Sequence, residues 1–147
     1  MRHSLALATL AVLLATTIPA PAAAQEPPPL GEVLNSLADL WDSGDASAIT
    51  ALSAASGVDI EIGGVTLGSV TGRKLTAALR HVFDDWVSVS VVYNMTSPVM
   101  GVEDRAFGEL TWEIRHAGAT ASERTTVFLA LVREPAGWRV TQIRILE

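Results

Sequence analysis

The chain contains no cysteine. That absence removes disulfides, thiolate metal ligands, a cysteine nucleophile and the lipidated cysteine of an anchored lipoprotein. Many small extracellular eukaryotic domains depend on disulfides, so the lack of them leans towards a bacterial exported protein. Basic residues are also in short supply. Ten Lys and Arg stand against sixteen Asp and Glu, for a formal charge of −6. An acidic balance of this kind argues against nucleic acid and against an anionic membrane surface as partners. Only three histidines and one tyrosine are present, which leaves few groups for acid–base work.

What is present begins with a leader. Arg2 and His3 precede an apolar run from Leu5 to Ile18, then Pro19 and Pro21, then Ala22-Ala23-Ala24. A basic start, an apolar stretch and small residues before the cut are the marks of a secretory signal. The run is short of the roughly 20 residues that span a bilayer. We therefore expect residues 1–24 to be removed before Gln25, leaving a periplasmic or secreted chain with no stable membrane anchor. Loss of Arg2 takes the charge from −6 to −7. Residues 25–29 (QEPPP) read as a stiff linker, and 30–147 as one domain. About 120 residues can bury enough surface to fold without disulfides.

Within that domain Leu30, Val33, Leu34, Leu37 and Trp41 follow helical spacing, and Gly44 stops the helix. Asp45 stands where an N-cap belongs, and Ala46 to Ala55 reads as a second helix with Ile49 and Leu52 inward. Val58, Ile60 and Ile62 alternate with Asp59 and Glu61 in a half-buried strand. Gly63-Gly64 turns it into a second strand, Val65 to Val70. Thr71 to Asp85 is a third helix with Leu75, Ala78, Leu79, Val82 and Phe83 on one stripe. Four strands follow. Trp86 to Ser97 should place Val87, Val89, Val91, Tyr93 and Met95 on one face. Glu103 to His116 alternates Leu110, Trp112 and Ile114 against Glu109, Thr111, Glu113 and Arg115. Glu123 to Arg133 is apolar on both faces, and Trp138 to Leu146 closes the chain. Helices first and strands grouped after them define an α+β class.

This order resembles the nuclear-transport-factor-2-like superfamily. Three stretches carry the likeness: LWDSGDASAITALSA at 40–54, TGRKLTAALRHVF at 71–83, and GWRVTQIRIL at 137–146. The resemblance covers about residues 30–146 and points to an exported bacterial branch. It implies three helices and a short hairpin packed in a strongly curved antiparallel sheet, a cystatin-like cone with a pocket inside. Superfamily members include isomerases and dehydratases, and also binding and dimerisation modules, so the fold does not dictate the function.

The enzyme patterns are not met. An isomerase of this kind needs a pocket carboxylate and a tyrosine. Leu37, Ala38 and Leu40 stand where the resemblance would put the tyrosine, and Ile62 where it would put the base. A dehydratase-like site needs a sheltered histidine beside a carboxylate, whereas His81 and His116 read as solvated. Two separated histidines make no zinc site. Gly72-Arg73-Lys74 opens a helix and reads as a solvated first turn rather than an anion site. Trp41, Tyr93, Trp112, Phe128 and Trp138 are the candidates for lining an apolar ligand pocket. Glu109, Glu113 and Arg115, with Arg133, Arg139 and Arg144 on later strands, are expected on the outer face. Val127, Leu129 and Leu131, opposite Phe128, Ala130 and Val132, would need cover, which a second copy could supply sheet to sheet.

The expectation is thus an exported non-catalytic module that needs no cofactor or metal. It would bind a small apolar ligand or a protein partner, as a homodimer through the sheet. The alternative is a cofactor-independent isomerase- or lyase-like enzyme acting on a small hydrophobic substrate.

Overall fold

The structure is a computed structural model that describes residues 26–98 and 102–146. The proposed leader, residues 1–24, lies outside the described residues. Three helices, α1 (Leu30–Asp42), α2 (Ala46–Ala51) and α3 (Gly72–Asp85), pack on one side of six strands. The strands are β1 (Val58–Ile62), β2 (Val65–Val70), β3 (Trp86–Pro98), β4 (Arg105–His116), β5 (Glu123–Glu134) and β6 (Gly137–Leu146). Their order in the sheet is β2-β1-β6-β5-β4-β3, so the sheet is open, with β2 and β3 as its edges.

Neighbouring strands run antiparallel, except that β1 runs parallel to β6, with Ile60 opposite Ile143. The short hairpin therefore extends the sheet laterally rather than folding over it. Bulges bend the long strands. One extra residue, Val89, interrupts the β3–β4 ladder between Ser88 and Ser90. Thr141 does the same on β6 between the partners of Ala130 and Leu131. Each bulge kinks its strand and adds twist, which curves the sheet around the helices.

The helices form where local rules favour them. Helix α1 buries Val33, Leu34, Leu37, Ala38 and Trp41. It ends at Gly44, whose φ of 67° is the left-handed conformation that glycine adopts without a Cβ penalty. Asp45 Oδ1 then accepts from the Ala48 N–H at 2.9 Å and caps α2. Helix α2 is shorter than its apolar spacing predicts. The Ala54 N–H donates to Val140 O, and the Val140 N–H to Leu52 O. Those bonds to β6 draw the chain out of the helix after Ala51. Thr50 and Thr76 hydroxyls meet at 2.9 Å and tie α2 to α3.

The core lies between the helices and the inner sheet face. Leu34, Leu37, Trp41, Ile49, Leu75 and Leu79 meet Leu110, Trp112, Leu129 and Ile143, all fully buried. Burying each such side chain contributes about 1.5–3 kcal/mol before entropy is counted.

The bulge at Val89 changes the expected face of β3. Val87 and Val89 are 42% and 48% exposed, while Val91 and Tyr93 pack against the core. A strict period of two would have kept all of them together; one inserted residue reverses the alternation.

Candidate functional site

The interior of the cone is aromatic and packed. Trp41, on α1, meets Phe83, on α3, edge to face at 5.3 Å between centroids. It meets Trp112, on β4, at 5.6 Å and 89°. Phe83 and Trp112 close the triangle at 6.0 Å, and Trp86 lies 5.6 Å from Trp112. Trp112 Nε1 donates to Ser88 Oγ at 3.0 Å, and Ser88 Oγ donates to Asp42 Oδ1 at 2.6 Å. This chain links β4, β3 and the end of α1. Trp41 Nε1 is buried without a hydrogen-bond partner, enclosed by perpendicular rings.

The five candidate ligand-lining residues do not share one cavity. Trp41 and Trp112 are 1% and 0% exposed and fill the interior themselves. Tyr93 packs half-buried beside them. Phe128 stands on the opposite face of the sheet, tilted against Phe107 at 5.2 Å. Trp138 lines a separate open groove of about 1220 Å³, with Pro27, Pro29, Val33, Leu52 and Arg133. Strand parity explains the separation. Val127 pairs with Ile145 and Leu129 with Ile143, all inward, so Phe128 between them must point outward.

The same parity corrects the two faces of β5. Val127, Leu129 and Leu131 are covered by the chain's own helices, at 0–2% exposure. Phe128, Ala130 and Val132 are the residues left half-buried without a layer above them. Arg133 was expected outward; it lies inward and borders the Trp138 groove.

The outer face carries a transverse row. Glu61, Arg144, Phe128 and Glu109 stand opposite one another across β1, β6, β5 and β4. Arg144 grips Glu61 with two bonds, Nε to Oε2 at 3.0 Å and Nη2 to Oε1 at 3.2 Å. Glu113 and Arg115 share this face on β4, and Arg139 shares it on β6 opposite Val132. Asp59 and Glu61 are thus directed away from the interior, and Leu37, Ala38 and Ile62 stand on the inner side. His81 is 81% exposed, beside Asp85 at 3.7 Å. Gly72, Arg73 and Lys74 are exposed.

One pair escaped the sequence reading. His116 Nε2 lies 2.7 Å from Glu123 Oε1 across the β4–β5 turn. Both border a pocket of about 280 Å³ with Trp86, Ile114, Arg124 and Thr125. The inward alternation Trp112, Ile114, His116 was a signal for this placement. The turn length that brings Glu123 opposite Ile114 was not visible in the sequence. Among the described residues no group of three His, Cys, Asp or Glu could hold a metal ion.

No family model matches the sequence, and no curated protein matches it. Solved structures do match in shape. A DUF4783 family protein from Bacteroides uniformis superposes with a TM-score of 0.64 at 12% identity, covering 77% of this chain and 94% of that one. A DUF4783 family protein from Bacteroides fragilis gives 0.63 at 16% identity, covering 81% and 97%. An NTF2-like protein with a cystatin-like fold from Novosphingobium aromaticivorans gives 0.52 at 20% identity, covering 78% and 77%. At these identities the likeness establishes the fold. The chain has the α+β architecture of nuclear-transport-factor-2-like proteins, helices first and a curved open sheet after them.

Proposed function

We propose that this chain is an exported, non-catalytic interaction module that works as a homodimer, joined through the outer faces of two sheets. The observation that carries the reading is the apolar strip Phe107, Phe128, Ala130 and Val132, on a sheet face that no described helix covers. Phe107 is 39% exposed although it belongs to a central ladder of the sheet. Contiguous apolar surface of this kind marks an interaction site.

Charge selects the partner. Acidic Glu109 flanks Phe128 on β4 and basic Arg144 flanks it on β6, while Arg105 and Arg139 flank Val132 at the end of the strip. A two-fold axis along β5 sets Glu109 of one copy over Arg144 of the other on both sides, acid over base at the level of Phe128. Such self-complementarity is what an isologous dimer requires. The packed interior supports a surface role over a hollow cone, because Trp41, Phe83 and Trp112 occupy the space a bound apolar ligand would take. Buried polar side chains are nearly lacking, and Thr125 is the buried polar residue among those described. The leader at 1–24 supports export.

The test is light scattering on residues 25–147 at micromolar concentration. A mass of twice the monomer is the expected result. A monomer under those conditions overturns the dimer reading.

A further inference from the structure

We propose that the pocket bordered by Trp86, Ile114, His116, Glu123 and Thr125 is a binding site for a small primary ammonium ion with an apolar body. It lies on the helix-covered face at the end of the sheet, so it does not depend on the pairing of two copies.

Glu123 and Thr125 bring acceptor atoms to this pocket. A carboxylate only accepts, so the His116–Glu123 contact of 2.7 Å uses a proton on Nε2 of the ring. Glu123 Oε2 has no hydrogen-bond partner among the described residues. Thr125 Oγ1 donates its one hydrogen to Leu146 O, so its remaining capacity is to accept. A ligand that satisfies such a set must bring donors, and an ammonium group brings three. Glu123 supplies the opposite charge.

The apolar half is equally defined. Trp86 is held by Trp112 on one side, with centroids at 5.6 Å, and by His116 on the other, at 6.1 Å and 85°. Its ring and Ile114 form the wall. An indole beside a carboxylate attracts organic cations through its quadrupole as well as its surface. Arg124 also borders the pocket, but by register it stands opposite Glu113 on the outer face. The volume of about 280 Å³ falls at the small end for ligand sites, enough for a ligand of about ten heavy atoms.

The probe is 2-phenylethylamine, titrated into residues 25–147 while the Trp86 indole N–H is followed by NMR. Neutral 2-phenylethanol and anionic phenylacetate are the controls of equal shape. The amine should bind saturably, about tenfold more tightly than either control. Glu123→Gln should lose about tenfold in affinity for the amine alone. Trp86→Leu, which keeps the carboxylate and is followed through the backbone amides of His116 and Thr125, is the second variant and should weaken the amine too. Equal binding of all three probes, undiminished binding by both variants, or no saturation by roughly 10 mM amine would each overturn the proposal.

Discussion

Trp112 and Ser88 are joined by a hydrogen bond from the indole Nε1–H to the hydroxyl at 3.0 Å, and Ser88 passes its own hydrogen to Asp42. Trp112 is wholly buried, so its indole depends on this one acceptor. Ser88→Ala would strand the donor and is expected to cost about 1–3 kcal/mol. Asp42→Ala should cost less, because Asp42 is exposed and Ser88 would still accept. Urea unfolding of both variants measures the difference. Equal losses would show that the indole bond is not what matters.

Gly108 lies on β4 directly beneath Leu34. A Cβ built at Gly108 would overlap the Leu34 side chain. Gly108→Ala should therefore destabilise by about 1–3 kcal/mol through overpacking. Shortening the neighbour should relieve it: in Leu34→Val the added penalty of Gly108→Ala should fall. A double-mutant cycle with no coupling energy would refute the contact.

Asp45 caps α2 through the Ala48 N–H at 2.9 Å. Asp45→Ala should cost about 1 kcal/mol, and Asp45→Asn much less, since the amide oxygen can accept the same bond. Thermal melting of the pair would distinguish a cap from a charge effect. Similar losses in both variants would point to charge.

Phe128 occupies the middle of the outer face, in one row with Glu109 and Arg144. Phe128→Lys should dissociate the proposed dimer while leaving the melting curve of the helix-covered core close to that of the parent. Sedimentation of the variant reads the first outcome and circular dichroism the second. A dimer that survives the substitution must use another surface.

The proposed leader at residues 1–24 makes a prediction independent of the fold. Expressed with its full sequence in a bacterial host, the chain should reach the periplasm or medium with Gln25 as its first residue. Mass spectrometry of the exported species reads the terminus directly. Retention of residues 1–24 in the membrane fraction would contradict cleavage.

Local periodicity was enough to locate every strand and helix of the described chain. The α1 stripe from Val33 to Trp41, the Gly44 stop and the Asp45 cap each depend on neighbours a few residues away, so the sequence alone determined them. The alternation in β4 likewise assigned Leu110, Trp112 and Ile114 to the inside. Tertiary structure decided what depends on distant segments. Strand β5 is apolar on both faces, and only the docking of helices buried Leu129 and left Phe128 outside. The single inserted residues Val89 and Thr141 reset alternation where the ladders of neighbouring strands had to bend together. The parallel pairing of β1 with β6 joins residues far apart in the chain, which no local pattern encodes. His116 and Glu123 met for the same reason: each is an ordinary polar residue beside a turn, and the β4–β5 register made them a pair.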